Sequence, residues 1–230
     1  MLVRERMSAH PILCEPDLPV GDALDRMKKE HVRRMPVVDK HGKLVGIVSD
    51  KDLLQASPSP ATSLSVWEIT YLLSKIKISD VMTKKVITIV PDTPLEDAAR
   101  IMVDNKIGGL PVVSPEGAVV GIITETDIFK TFIEMLGARK PGVRVTTLVT
   151  DRNGQLAKIS GDIAAAGGNI VALIELPGTD STNYEVLFKV TDVPKDQLVK
   201  ILEAHVLRVT DVREQSRACI RIGSTGLVST

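Results

Sequence analysis

The chain has 230 residues, which is too long for one ordinary domain and fits two or three small ones. Hydrophobic residues make up 43% and charged residues 25%, the mixture of a soluble globular protein rather than a disordered one. The 29 Lys and Arg balance the 29 Asp and Glu, so the basic surplus of a nucleic-acid or anionic-membrane binder is missing. Aromatic residues are only 3%, which disfavours a stacking platform for single-stranded nucleic acid. We therefore expect neither nucleic acid nor a membrane among the partners.

The first residues and the cysteines indicate the compartment. The N-terminal segment lacks the apolar stretch of a secretory signal, and apolar runs elsewhere fall short of the roughly 18 residues of a spanning helix. Cys14 and Cys219 are too few for a disulfide framework, and the four histidines lack the spacing of metal ligands. We interpret Cys14, in the strand-like run ILCE, as a small buried hydrophobe rather than a reactive thiol. The sequence thus predicts a cytoplasmic protein without a metal site.

An internal repeat organises the first part of the chain. Residues 7–56 align without a gap with residues 82–131, at an offset of 75. Within this match, HVRRMPVVDKHGKLVGIVSDKDLL lies over KIGGLPVVSPEGAVVGIITETDIF. Each copy is predicted to form strand, helix, strand, strand and helix. Such a unit is too small to bury a strong core alone, so we expect the two to pack with pseudo-two-fold symmetry and to form clefts between them.

The first helix of the second copy has a sequence pattern typical of a helix start. Thr93 is predicted as the N-cap, Pro94 as the first helical residue, and Glu96 as the residue that completes a capping box. In the helix between the copies, Trp67 and Tyr71 are four residues apart and share a face. We interpret them as a packing or dimer-contact stripe rather than a ligand cage.

Two motifs stand where a strand leads into a helix. They are Ser49-x-x-Asp52 and Thr124-x-x-Asp127, one in each copy. A carboxylate at this position can accept both hydroxyls of a ribose, and the hydroxyl with the first helical N–H groups suits a phosphate. The same residues would also serve as simple helix N-caps. The spacing alone leaves both interpretations open.

The repeated pattern of helix, PVVD, turn and VGIVSxxD resembles the CBS domain, and its tandem copy resembles a CBS pair, or Bateman module. The resemblance implies a mixed α/β (α+β) fold of two βαββα units related by pseudo-two-fold symmetry. It also implies that the clefts bind an adenosine-containing regulatory ligand such as AMP, ADP, ATP or S-adenosylmethionine. In that case Ser49, Asp52, Thr124 and Asp127 match the positions that contact ribose and phosphate in the family.

The two copies differ just before Pro-Val-Val. The first has Arg33 and Arg34 where the second has Gly108 and Gly109. The resemblance places this segment at the ligand cleft, where an arginine can pair with phosphate, and two glycines leave room for a base or for a close backbone approach. We therefore expect unequal sites with the phosphates towards the arginines, unless the arginines are solvated or lie at a dimer interface. The expected walls around an adenine are Leu13, Val32, Thr88 and Ile107.

The C-terminal part is predicted to follow the order βαββαβ of a ferredoxin-like domain. In one strand Tyr184, Val186, Phe188 and Val190 recur at every second position. The arrangement resembles the ACT domain, which implies dimerisation or amino-acid sensing. The candidate amino-acid-binding residues implied by this resemblance are Asp151, Asn153, Gly154 and Asn169.

The predicted organisation has five parts. They are CBS unit one at 1–57, a Ser/Pro loop and linking helix at 58–76, CBS unit two at 77–137, the ACT-like domain at 138–215, and a tail at 216–230. This combination resembles the acetoin-utilisation AcuB-type proteins. The resemblance implies a homodimeric regulator of a partner enzyme in acetoin or carbon catabolism.

Catalysis is not expected. The sequence has no Walker A loop, no GxGxxG after a strand, no HExxH and no GxSxG motif. We therefore predict a non-catalytic protein without a catalytic cofactor. Two alternatives remain: a structural dimerisation adaptor with unliganded clefts, and a nucleotide-hydrolysing enzyme.

Overall fold

The computed structural model describes residues 1–57, 65–215, 219–221 and 227–229. The chain forms two compact units, Met1–Phe129 and Lys130–Thr230. Residues 58–64 of the predicted Ser/Pro loop, and residues 216–218, 222–226 and 230 of the predicted tail, lie outside the described residues. Within the part that is described, no helix is long and apolar enough to span a bilayer.

The first unit contains both repeats, and their elements correspond. Repeat one and the connection after it comprise β1 (Ser8–Ala9), α1 (Val20–Lys29), β2 (Arg34–Val38), β3 (Leu44–Ser49), α2 (Asp50–Gln55), α3 (Val66–Lys75) and α4 (Ile78–Val81). Repeat two comprises α5 (Leu95–Asn105), β4 (Gly109–Val113), β5 (Val119–Thr124) and α6 (Glu125–Met135), the last of which continues into the second unit. The two short strands after each first helix are confirmed as antiparallel pairs.

The predicted first strand of each repeat is much shorter than expected. Cys14 forms a single parallel bridge to Val37, and Ile89 forms the equivalent bridge to Val112. Both side chains are nonetheless buried in the core of their repeat. These segments therefore keep their apolar packing but make one rung of the ladder instead of a full strand.

The two repeats exchange their N-terminal segments. Ser8 of β1 pairs with Ile122 of β5, and Thr83, which is equivalent to Ser8, bridges to Ile47 of repeat one. The exchange extends into the cores, because Val3 packs in the core of repeat two. Its equivalent, Ile78, packs in the core of repeat one. The expected pseudo-two-fold packing thus includes reciprocal completion of each core by the other repeat.

Where each exchanged segment meets the other repeat, a methionine packs against a glycine. The Met82 sulfur lies against Gly46, and the Met7 sulfur lies against the equivalent Gly121. A Cβ atom at either glycine would collide with that sulfur. The glycine in each Gly-Ile pair is therefore required for the close approach of the other repeat.

The predicted N-cap at Thr93 is wrong. Pro94 has an extended ψ of 141° and itself occupies the N-cap, so α5 begins at Leu95 and Glu96 completes no capping box. The Leu95 N–H donates instead to the carbonyl of Met1 at 3.1 Å. The helix start is therefore satisfied by the backbone of the exchanged N-terminal segment, which no local sequence rule includes.

The second unit confirms the βαββαβ order. Its elements are β6 (Gly142–Thr150), α7 (Gln155–Ala165), β7 (Asn169–Pro177), β8 (Asn183–Thr191), α8 (Lys195–Glu203) and β9 (Arg208–Gln215). The sheet order is β7-β8-β6-β9 with antiparallel neighbours, which is the ferredoxin-like topology. Two further strands, β10 (Cys219–Arg221) and β11 (Leu227–Ser229), pair with each other.

The two faces of β8 differ in an unexpected way. Val186, Phe188 and Val190 are fully buried in the core, as their alternation predicts. Lys189 points to the opposite side and is nevertheless only 1% exposed. Its Nζ donates to the carbonyl of Gly137 at 2.7 Å, and burial, followed by the nearby Arg144 charge, lowers the pKa of Lys189. A buried lysine with a backbone partner thus ties β8 to the segment before β6.

Candidate functional site

A cavity of about 290 Å³ lies between the two repeats of the first unit. Its lining consists of apolar side chains, one carboxylate, two hydroxyls, two glycines and three cations. The lining residues are Arg34, Ile47, Val48, Ser49, Asp52, Thr83, Lys85, Val86, Ile87, Lys106, Ile107, Gly108 and Gly109. Both repeats contribute, as expected for a cleft created by their packing.

The carboxylate of the cavity belongs to a capping box. The Ser49 N–H and Oγ donate to Oδ2 of Asp52 at 2.8 and 2.7 Å, and the Asp52 N–H donates back to Ser49 Oγ at 3.3 Å. The capping interpretation of this motif therefore describes its geometry. Because these bonds engage Oδ2, the carboxylate is held in a fixed orientation at the cavity wall.

Arg34 crosses the two glycines of the other repeat. A Cβ atom at Gly108 would collide with Arg34 Nη2 and would lie 2.8 Å from Oε2 of Glu125. A Cβ atom at Gly109 would lie 3.2 Å from Arg34 Cδ. The arginine thus occupies the space beside the two glycines that the sequence suggested for a ligand base. The arginines of repeat one and the glycines of repeat two are complementary, because Arg34 fits only where the other repeat has no side chain.

Two lysines complete the positive side of the cavity. Lys85 follows the exchanged segment at Thr83, and Lys106 ends α5. Lys106 has a left-handed backbone, with φ 54° and ψ 42°, and its N–H donates to the carbonyls of Met102 and Val103. Three cations against one carboxylate give the cavity a positive excess, which favours an anionic ligand.

Half of the predicted ligand residues meet at this cavity. Of the twelve, six line it: Arg34, Ser49, Asp52, Ile107, Gly108 and Gly109. Leu13 lines a different cavity with Cys14. Val32 packs against the core of repeat one, and Thr88 is exposed. Val86 and Ile87 line the cavity beside Ile107.

The equivalent motif of repeat two has the same local geometry. The Thr124 N–H and Oγ1 donate to Oδ2 of Asp127 at 3.0 and 2.7 Å. Arg33 is engaged close by, since its Nη2 donates to Oγ1 of Thr126 at 3.1 Å. Arg33 thus contacts the first turn of α6.

The interpretation of Cys14 agrees with its surroundings. The residue is 3% exposed in the core of repeat one. Burial raises the pKa of the Cys14 thiol to about 11, although the Arg26 charge opposes this shift. The protonated thiol dominates at neutral pH, as expected of a small buried hydrophobe.

The four candidate amino-acid-binding residues do not come together within one chain. Asp151, Asn153 and Gly154 follow the C-terminal end of β6. Asn169 lies at the start of β7, beside the start of β6 and therefore at the opposite end of the strands. Nine residues of β6 separate the two ends, which is roughly 25 Å. A site that used all four would need a second copy of the chain.

Some residues of the cavity escaped the sequence analysis although signals existed. Lys106 and Lys85 are the residues at the equivalents of His31 and His10 under the repeat offset. Comparison of the two copies position by position would have shown a change from histidine to lysine at both.

Among the described residues, no group of three or more His, Cys, Asp or Glu could hold a metal ion.

Comparison with known proteins shows the family. The family profile of the CBS domain matches residues 3–59 and 78–134. The uncharacterised protein MJ1426 of Methanocaldococcus jannaschii is 36% identical over 155 residues, covering 58% of this chain and 92% of that protein.

Solved structures similar to this chain include a CBS domain pair and an acetoin utilization protein. One is the CBS domain pair of protein MJ0100 in complex with 5′-methylthioadenosine and S-adenosyl-L-methionine, with 33% identity, a TM-score of 0.48, and coverage of 57% of this chain and 99% of that chain. Another is a Vibrio cholerae protein assigned to acetoin utilization (AcuB), with 33% identity, a TM-score of 0.49, and coverage of 60% and 93%. The CBS domain-containing protein DDB_G0289609 of Dictyostelium discoideum is 32% identical over 136 residues, covering 59% of this chain and 94% of that protein. From the two profile matches and this relative, this chain belongs to the CBS domain family and carries two CBS domains in tandem.

Proposed function

We propose that this chain is a non-catalytic regulatory protein that binds an adenosine-containing ligand in the cavity at Asp52. The observation that carries the proposal is the combination of surfaces in one cavity. Ile87 and Ile107 supply apolar walls for a base, Asp52 supplies a carboxylate for ribose hydroxyls, and the cations supply partners for phosphate. AMP, ADP, ATP and S-adenosylmethionine are the candidate ligands.

Further parts of the proposal concern the rest of the chain. The motif at Asp127 is proposed to mark a second adenosine site, and the ferredoxin-like unit is proposed to act as an ACT-like module for dimerisation or amino-acid sensing. The domain limits given above, a homodimeric state, a cytoplasmic location, a regulated partner enzyme and a link to acetoin or carbon catabolism stay predictions. The exposed apolar residues of α3, Trp67 and Tyr71, are compatible with a dimer contact because they are 85% and 62% exposed.

Removal of the Asp52 charge tests the site. Asp52→Asn keeps an oxygen that can accept from Ser49 but weakens the acceptor for ribose hydroxyls, so the affinity is expected to fall about tenfold or more. The measurement is isothermal titration calorimetry of ligand-free protein with AMP, ADP, ATP, S-adenosylmethionine and NAD. Asp50→Asn is the matched control, because it removes a carboxylate from the same helical turn outside the cavity lining.

The titrations also separate the alternatives. Failure of all five compounds to bind at millimolar concentration would exclude the proposed function and support a structural adaptor. Conversion of a bound nucleotide during the experiment would instead support a hydrolase. An unchanged affinity in Asp52→Asn, with binding intact, would remove Asp52 from the ligand site.

A substitution at Gly108 tests the role of the crossing arginine. The Cβ of Gly108→Val would displace the Arg34 guanidinium, which is a flexible group, so folding should be little affected. Binding of a phosphate-bearing ligand is expected to weaken about tenfold, since the arginine loses its place at the cavity. Calorimetry with AMP measures the affinity, and thermal unfolding checks the fold. Equal affinity in the variant and the parent protein would contradict this role for Arg34.

A further inference from the structure

The cations of the Asp52 cavity come from three separate elements. Arg34 begins β2, Lys85 follows the exchanged segment, and Lys106 caps the end of α5. Arg34 reaches the cavity across Gly108 and is partly buried, whereas the two lysines are exposed at its margin. Positive groups distributed in this way can contact anionic oxygens along a chain of phosphates, while a single phosphate can approach only some of them.

The helix end does not require a lysine at position 106. His31, the equivalent of Lys106, has a φ of 53° against 54° for Lys106, so the same left-handed helix end occurs in both repeats. The equivalent of Lys85 is His10. The permanent charge of the two lysines is therefore a property of this cavity rather than of the fold.

The other arginine of the pair is used differently. Arg33 donates to Thr126 in the first turn of α6, so it makes a contact from repeat one to repeat two. Arg34 alone of the Arg33-Arg34 pair lines the Asp52 cavity. The Asp52 cavity therefore carries three permanent cations, Arg34, Lys85 and Lys106, whereas repeat one has histidines at the equivalents of the two lysines.

We propose that the Asp52 cavity selects adenosine ligands with two or more phosphates, whose oxygens contact Arg34, Lys85 and Lys106. The inference rests on the proposed function and names the ligand class of the same site. It predicts that ATP and ADP bind more tightly than AMP, and AMP more tightly than adenosine. S-adenosylmethionine is expected to bind weakly, because its sulfonium cation would face three positive groups.

The test is calorimetry of ligand-free protein with adenosine, AMP, ADP, ATP and S-adenosylmethionine. A chelator is included so that divalent cations do not neutralise the phosphates. ATP is expected to bind about tenfold more tightly than AMP at about 0.05 M salt, and the ratio is expected to shrink at about 0.5 M salt because exposed charges are screened. Lys85→Gln combined with Lys106→Gln is expected to reduce the ratio of ATP to AMP affinity to about twofold.

Two further variants keep the outcome specific. Lys84→Gln removes a neighbouring exposed lysine outside the cavity lining and is expected to preserve the ratio. Lys85→His combined with Lys106→His installs the residues of repeat one. This variant is expected to lower the ratio of ATP to AMP affinity more at pH 8, where histidine is neutral, than at pH 6, where histidine is largely protonated.

The outcomes distinguish the two proposals. If AMP or adenosine binds as tightly as ATP, or if the double glutamine variant keeps the full ratio, the selectivity inference is overturned while the proposed function stands. If none of the compounds binds, both are overturned. A ratio that disappears equally in the Lys84→Gln control would assign the effect to net charge and would also overturn the inference.

Discussion

Phe188→Ala is expected to lower the free energy of unfolding of the second unit by about 3–5 kcal/mol. Phe188 is fully buried at the centre of β8, where it packs with Ile159 and Ile163 of α7 and Leu198 of α8. Truncation removes the ring from the apolar core and leaves a cavity that both helices border. The loss is large because a sheet covered by two helices cannot close such a cavity without moving one of them.

Hydrogen exchange measures this loss where it occurs. Amides of β6 to β9 are expected to exchange faster in Phe188→Ala, and the urea midpoint is expected to fall. Phe129→Ala makes the same chemical change at a side chain that is 65% exposed, so its effect should stay within about 0.5 kcal/mol. Unchanged protection of β8 in Phe188→Ala would contradict the assigned core.

Gly142→Ala is the second substitution with a large expected effect. Gly142 has a φ of +145°, and a Cβ atom there would lie 2.7 Å from the carbonyl oxygen of Val190. Strain and collision together are expected to cost about 2–4 kcal/mol. The cost is high because the atom in the way is backbone in a paired strand and cannot rotate aside.

A second glycine provides the opposite expectation. Gly161 lies within α7, and a Cβ atom there would meet nothing within 4 Å. Gly161→Ala is therefore expected to stabilise the chain by about 0.5–1 kcal/mol through better helix propensity. Urea unfolding of both variants checks the pair. A midpoint that fell in Gly161→Ala, or one that held in Gly142→Ala, would contradict the geometry of the second unit.

The sequence predicted those parts of the fold that repeat or alternate. The match of residues 7–56 with residues 82–131 predicted a tandem pair, and the profile matches confirm the CBS assignment. The alternation around Phe188 predicted the core face of β8, and the βαββαβ order followed from such local patterns. Periodic burial leaves a periodic signal in the sequence, and for this reason these elements were accessible.

The features that the sequence missed depend on contacts between distant segments. Leu95 begins its helix because the Met1 carbonyl accepts its N–H, and no residue near Leu95 records that contact. Lys189 looks like an outward polar residue of β8 but is covered by the segment around Gly137. Lys85 and Lys106 of the cavity were missed for a different reason, because their only signal is the change from the histidines at the equivalent positions of repeat one.

The reciprocal exchange of N-terminal segments gives the first unit the arrangement of a domain-swapped dimer whose two halves are covalently linked. Each half lends the other a β-bridge and a core side chain, Val3 in one direction and Ile78 in the other. The contacts of the exchanged segments, which hold the two halves together, therefore occur twice, and they are not made by the peptide that joins the halves. Changes in the length of that connection should be tolerated, whereas loss of either exchanged segment would leave one half without part of its interior.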